Sequence, residues 1–446
     1  YPFQASNWHD GLSEAEAKRE YQQVYDLAAY FLQTYNGSGK SFYFGHWEGD
    51  WWLLGNYDPK KDPSDSAVQG MIDWLAIRQK AVETARTTIA HENVQVWHYV
   101  EVNLVKKAME GGKTITNNVL PNVTVDLVSY SAYDTIFDRS GGPAQLFLQA
   151  LDTIESKART TGHFPRDVFV GEYGFPLDQG KRTPEEQARL SEEIYTAALQ
   201  WGCPFVLYWQ MYDNEAEANG VNARGFWLID AKNEKQPIYY KHRDFLSKAQ
   251  IFIQLHRYWL GRNPSEAAYS AFCGNYKTFS ASKTLDTILD SEEYQRRLSN
   301  ADYLSWLWAH LFPTRDRDSA EYRDWLAMLD NGEARSTVLN HVLDFSFRQG
   351  GTAQTGLVTY LLDHTQDPMP AALREKEKNA LQTTLDQGAS PSQLWREILD
   401  RPHGAESMLD HRASEERDAR WLERHLFFDP AQLHPTPSAS LGERIE

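Results

Sequence analysis

Five β-prone runs, at 41–47, 94–102, 125–130, 168–172 and 205–211, alternate with stretches whose apolar residues recur at helical spacing. That alternation predicts βαβ units and a parallel sheet, because parallel neighbours need a crossover long enough to hold a helix. The helices mark their own ends. Glu14, Ala17, Tyr21, Val24, Leu27 and Phe31 form a stripe that stops at Asn36-Gly37-Ser38-Gly39, where glycine accepts the left-handed turn that closes a helix. Ser64-Asp65-Ser66 can cap a second helix over about 66–90, with Met71, Trp74, Leu75, Ile77 and Val82 as its apolar face. A third covers about 143–160. Thr183-Pro184-Glu185-Glu186 opens a fourth that reaches Trp201, with proline in the first turn and acids near the positive end of the helix dipole.

A closed parallel barrel needs three strands more than these five. Either the sheet is open, or the chain lacks the first three βα units, and a start in a helix-loop region with no strand before it favours the second. The expected fold class is therefore α/β, a partial (β/α)8 TIM barrel holding strands 4–8 over residues 1–248. Beyond about residue 250 the β-prone runs vanish and helical spacing takes over. Ile288-Leu289-Asp290, Val342-Leu343-Asp344 and Ile398-Leu399-Asp400 recur 54 and 56 residues apart, the latter two each preceded by a Leu-Asp-x-Gly turn at Leu329 and Leu385. Three degenerate repeats, each burying a face on its neighbours, are expected in an all-α domain over 249–430, with a flexible tail over 431–446.

Composition narrows the partners. A formal net charge of −17 over 446 residues repels phosphate backbones and acidic glycans, which argues against nucleic acid. Neutral polysaccharide meets no such barrier, and 13% aromatic residues, fifteen of them Trp, supply faces on which sugar rings can stack. No apolar run reaches the eighteen or so residues of a membrane span, so no membrane insertion is expected. Cys203 and Cys273 are placed in different domains, and no Cys/His spacing suits a metal; neither disulfide, metal nor cofactor is expected. The chain begins at Tyr1 without Met or an apolar leader, so any export signal has been removed or was never included, and a secreted or cell-surface location follows only from function.

Two of the runs share a plan: Phe42-Tyr43-Phe44-Gly45-His46-Trp47-Glu48 and Val168-Phe169-Val170-Gly171-Glu172 each end on a glutamate. Strand C-termini converge on the mouth of a parallel barrel, so these two carboxyls can face each other across one cleft. Cleaving a glycosidic bond with retention takes such a pair, one acid and one nucleophile, roughly 5–5.5 Å apart.

The order strand-Glu48, strand 125–130, strand-Glu172-Tyr173-Gly174 and strand-Tyr208-Trp209 resembles glycoside hydrolase clan A, the retaining barrel hydrolases that include cellulase-like and mannanase-like families, over about residues 14–245. The resemblance implies Glu48 as acid/base, Glu172 as nucleophile, Tyr130 or Tyr133 as the hydroxyl supporting it, and Trp209 as the sugar platform. One position departs from the pattern. The clan carries Asn before its acid/base to bind the sugar 2-hydroxyl, whereas this chain has Trp47, with His46 before it; His46 and His98 are then candidate donors. Glu101 is a competing acid/base, or a rim carboxylate that orders His98. Trp51 and Trp52 either desolvate the proposed acid or pack beneath the following helix, and Asp213, Asn214 and Glu215 are candidate contacts to substrate hydroxyls.

Residues 306–348, notably Tyr322-Arg323-Asp324-Trp325-Leu326 and Leu329-Asp330-Asn331-Gly332, resemble a helical repeat family of unknown function appended to secreted bacterial proteins. That likeness implies a spacer or a module that docks on protein or surface. Two other readings fit the same residues: a carbohydrate-binding or scaffold protein whose barrel has lost its chemistry, and a protein whose function lies wholly in the repeats.

Overall fold

A computed structural model describes residues 7–138, 141–142, 144–178, 180–213, 215, 224–312, 315, 317–348 and 390–400. The chain divides into two compact units. Among the described residues the first is built from those up to Arg243 and from Glu266–Gly274, the second from Asp244–Ser265 and from Asn275 to Asp400. The division falls within a helix, Pro237–Leu260. Cys203 and Cys273, expected in different domains, both belong to the first unit as buried free thiols. The proposed tail lies outside the described residues.

The first unit holds five parallel strands, β1 (Ser41–Phe44), β2 (Gln95–Val102), β3 (Leu127–Ser131), β4 (Val168–Tyr173) and β5 (Val206–Tyr208). They lie side by side in sequence order. A doubly wound sheet reverses its order partway, with helices on both faces; this one never reverses, and it curls into a half-barrel. Both end strands are shorter than their runs suggest. Helices α1 (Glu14–Thr34), α2 (Gly49–Leu54), α3 (Asp65–Thr88), α4 (Val105–Met109), α5 (Tyr133–Ile136), α6 (Gln145–Lys157) and α7 (Pro184–Trp201) accompany the strands. Ser64 and Thr183 cap α3 and α7 as their sequences predict.

Alternation along the strands separates two faces. On the helix side, Phe42, Phe44 and Val96 pack with Val24, Ala28 and Leu32 of α1 and Ala81, Val82 and Ala85 of α3. On the inner side aromatic rings meet across the curl: Tyr43 lies 4.9 Å from Phe205 by ring centroid, Trp97 5.2 Å from Phe164, and Tyr99 5.3 Å from Phe169. The curl is thus tight enough for the first strand to touch residues beside the last.

In the second unit, helices α8 (Ala281–Leu289), α9 (Arg335–Arg348) and α10 (Pro391–Asp400) hold or adjoin the three recurring Leu-Asp positions, and each touches the other two. The aspartates of those positions form a cycle. Asp290 accepts the amide and hydroxyl of Ser336 at 3.0 and 2.6 Å; Asp344 accepts the Ser392 amide at 2.9 Å and the Ser390 hydroxyl at 2.8 Å. Asp400 reaches back to the first repeat, taking the amide and hydroxyl of Ser282 at 2.9 and 2.7 Å and the Ser280 hydroxyl at 3.1 Å. A second set of equivalent positions meets between the helices: Arg396 donates to both carboxylate oxygens of Asp286, one at 2.9 Å, and to Asn340 Oδ1 at 3.1 Å. These contacts therefore close the three helices into a ring instead of an open array.

Candidate active site

The strand ends bring four glutamates together. Glu172 is carried by β4, where a one-residue bulge changes which way it looks: Tyr130 pairs with Val170, but Ser131 pairs with Glu172. Gly171 is the extra residue, so Glu172 shares the inner face with Phe169 and Tyr173 turns outward to bond His242 at 2.7 Å. Only glycine fits there, because a Cβ on residue 171 would lie 2.0 Å from Ser129 Oγ. Glu48 follows β1 and caps α2, at φ 61° and ψ 43°. The segment after it, expected as a loop, is that short helix.

Trp47 crosses to Glu172, its indole N–H donating to Oε1 at 2.8 Å. Tyr133 presents its hydroxyl toward the same carboxyl, closely enough to lower its pKa though short of a well-formed hydrogen bond. Burial nevertheless holds Glu172 above the usual carboxylate range, with the negative charge of Glu48 adding to the rise. Glu48 is raised by burial and then by Glu215, and its Oε2 is buried without a partner. Glu101, 4% exposed at the end of β2, is pushed up to about 7, chiefly by burial against a lowering hydrogen bond from Ser131.

Trp209 continues the β4–β5 ladder through its amide to the Tyr173 carbonyl at 2.9 Å, an approach that leaves no room for a Cβ at Gly174. Its indole N–H donates to Glu215 at 2.5 Å, and Glu215 pairs with Arg224 at 3.3 Å. Asp213 holds the chain that returns, accepting the amides of Gly225 and Phe226. Asn214 lies outside the described residues.

Other residues singled out in the sequence are placed elsewhere. His98 is fully buried on the helix side against Gln79, 3.1 Å from its Oε1. Glu101 therefore does not order it. His46 is buried edge-on to Trp74 at 5.5 Å, and burial lowers its pKa to about 3. Tyr130 bonds Asp134 and Thr135 and stacks on Phe147 of α6, so Tyr133 is the tyrosine that reaches Glu172. Trp51 is half-buried near Tyr57, whereas Trp52 is 45% exposed. Asp50 was not anticipated: it is 1% exposed and its carboxylate accepts the amides of Asn103, Leu104 and Ile115, tying the loops after β1 and β2 together. A surface groove lined by Ala108, Met109, Asn117, Gln149, Asp152 and Lys157 shares no residue with these carboxyls.

Glu48, Glu101 and Glu172, each raised above the usual carboxylate range by burial, gather in a partly dry site where their like charges oppose full ionisation. One that keeps its proton near neutrality beside one that ionises is the requirement for general acid and nucleophile. Among the described residues no group of three His, Cys, Asp or Glu side chains could hold a metal ion, and no helix is long and apolar enough to cross a membrane. No model of a known protein family matches the sequence, and no curated protein does.

Proposed function

We propose that the first unit is the strand 4–8 portion of a (β/α)8 barrel and works as a retaining β-glycoside hydrolase on a neutral poly- or oligosaccharide. The observation that carries this reading is the Trp47–Glu172 hydrogen bond, which draws the chain after β1 across to the end of β4, together with the charge of Glu48 acting on Glu172. The contact of Tyr43 with Phe205 supports it as well, since strands 4 and 8 stand opposite one another in an eight-stranded barrel. In this mechanism Glu48 protonates the leaving oxygen while Glu172 attacks the anomeric carbon; water, deprotonated by Glu48, then releases the sugar from Glu172. Tyr133 and Trp47 steady the nucleophile, and Trp209 lies beneath the ring. Barrel closure requires three further βα units. A secreted or cell-surface location suits such a substrate, and the helical unit serves as a spacer or docking module.

The test is reducing-sugar release from neutral and acidic β-glucans, β-mannans and xylans, by the chain alone and by a form whose barrel is completed. Neutral substrates are expected to be cleaved, and Glu172→Gln to lower kcat by a factor on the order of 10⁴ or more while leaving binding intact. Full activity in Glu172→Gln refutes the assignment. A second reading, sugar binding without turnover, draws on Trp47 in the place of the clan's Asn; binding by the wild type with no hydrolysis of any substrate would favour it.

A further inference from the structure

Three donors from three segments converge on one oxygen. Oε1 of Glu101 accepts the Glu48 amide at 3.1 Å, the Ser131 hydroxyl at 3.0 Å and the Asn103 side-chain amide at 3.1 Å. Two residues further along, the segment is held again in the first turn of α2. The Asp50 amide donates to Asn103 Oδ1 at 3.0 Å, and the Asn103 amide returns a bond to Asp50 Oδ2 at 2.8 Å. Side chains thus continue the β1–β2 ladder beyond its last backbone pair, Phe44 with His98. The two segments are pressed together, since a Cβ on Gly49 would lie 2.0 Å from the Glu101 carbonyl oxygen.

Glu48 needs this hold. Its backbone is left-handed at φ 61°, a conformation unfavourable for a residue with a Cβ that persists only where the surroundings over-determine it. The Glu101 bond falls on the amide of that very residue.

We infer that Glu101 is a positioning residue acting through Glu48: its Oε1 pins the Glu48 amide and so fixes the left-handed turn that presents the Glu48 carboxyl to Glu172. The glycosidase reading supplies only the meaning of the Glu48 carboxyl; the hold on its amide stands apart from it. Glu101 is faced by the charge of Glu172 from β4 and by Tyr99 on its own strand, its other neighbours Ser131 and Asn103 being uncharged. Its carboxyl, raised by burial to about 7, titrates where spectra are readily recorded.

The experiment follows the Glu48 amide in 1H–15N spectra of the full chain between about pH 5 and 9, a window around the ionisation of Glu101. That resonance is expected to shift as Glu101 ionises, over and above any shift from the Glu48 carboxyl itself, and Glu101→Gln to remove the component centred near pH 7. In parallel, kcat and KM are measured on whichever glycoside the wild type cleaves. Glu101→Ala is expected to lose kcat on the order of 10- to 100-fold with KM changed by less than about threefold, because the acid is mis-aimed while the sugar still binds. Glu101→Gln keeps an acceptor oxygen and should recover at least about tenfold of that loss. A Glu48 amide that titrates alike in the wild type and in Glu101→Gln, or Glu101→Ala with wild-type kcat, overturns the inference. If the wild type cleaves nothing, the glycosidase reading falls alone, and the amide titration still decides the role of Glu101.

Discussion

Removing the Asp400 carboxylate distinguishes a ring from an open array of repeats. In a ring, Asp400 holds the start of α8 as Asp290 holds α9 and Asp344 holds α10; in an array, the last aspartate has no partner helix to hold. Asp400 takes one backbone amide and two hydroxyls, at 2.9, 2.7 and 3.1 Å, at the N-cap and first turn of α8. Its side chain is exposed, so the bonds are worth less than buried charge-assisted ones, and loss of a helix-start acceptor of this kind costs about 1 kcal/mol. That is a factor of about 5 in local opening. Hydrogen exchange of the full chain, read by mass spectrometry on peptides spanning 281–289, 335–348 and 391–400, measures it segment by segment. Asp400→Ala should speed exchange in 281–289 about as much as Asp290→Ala does in 335–348. Unchanged protection of 281–289 in Asp400→Ala, with 335–348 loosened in Asp290→Ala, refutes ring closure.

Two further expectations concern the first unit. Gly171→Ala should destabilise the chain by about 1–3 kcal/mol through collision with Ser129 Oγ, and Ser129→Gly should restore most of the loss, seen as a coupling in a denaturant double-mutant cycle. Simple additivity of the two changes would show the bulge to be unconstrained. His46 is held neutral when folded, its pKa lowered by burial to about 3 from an ordinary value near 6.5. As pH falls below about 6.5 the unfolded chain takes up a proton that the folded one refuses, so stability drops, with a slope of up to about 1.4 kcal/mol per pH unit that persists to about pH 3. His46→Gln should flatten the wild-type decline in urea midpoint between pH 6.5 and 4; identical slopes in both proteins would contradict the burial argument.

The strands and their helices could be read from the sequence because their ends carry chemistry. Ser64 and Thr183 cap where they are expected to, and the run from 94 to 102 is a strand over nearly its whole length. The meeting of the chain near Glu48 with Glu172 follows from strand ends alone. Other features depend on register or distance. The bulge leaves no trace in residue type except Gly171 itself, and the Glu101 oxygen draws partners 2, 30 and 53 positions away. The recurring Leu-Asp positions suggest three related segments but not the closure of their helices, which rests on a contact 118 residues apart. His98 was legible and misread: it differs from Glu101 by an odd number of positions on one strand, so the two point to opposite faces.

The bond from Trp47 to Glu172 makes the site self-reporting. An indole that stands 59% in solvent while its N–H rests on Glu172 senses both the ionisation of that carboxylate and the arrival of any molecule that competes for the oxygen. Its side-chain resonance is therefore a built-in gauge of occupancy, usable with any unlabelled candidate ligand and without an assay of turnover.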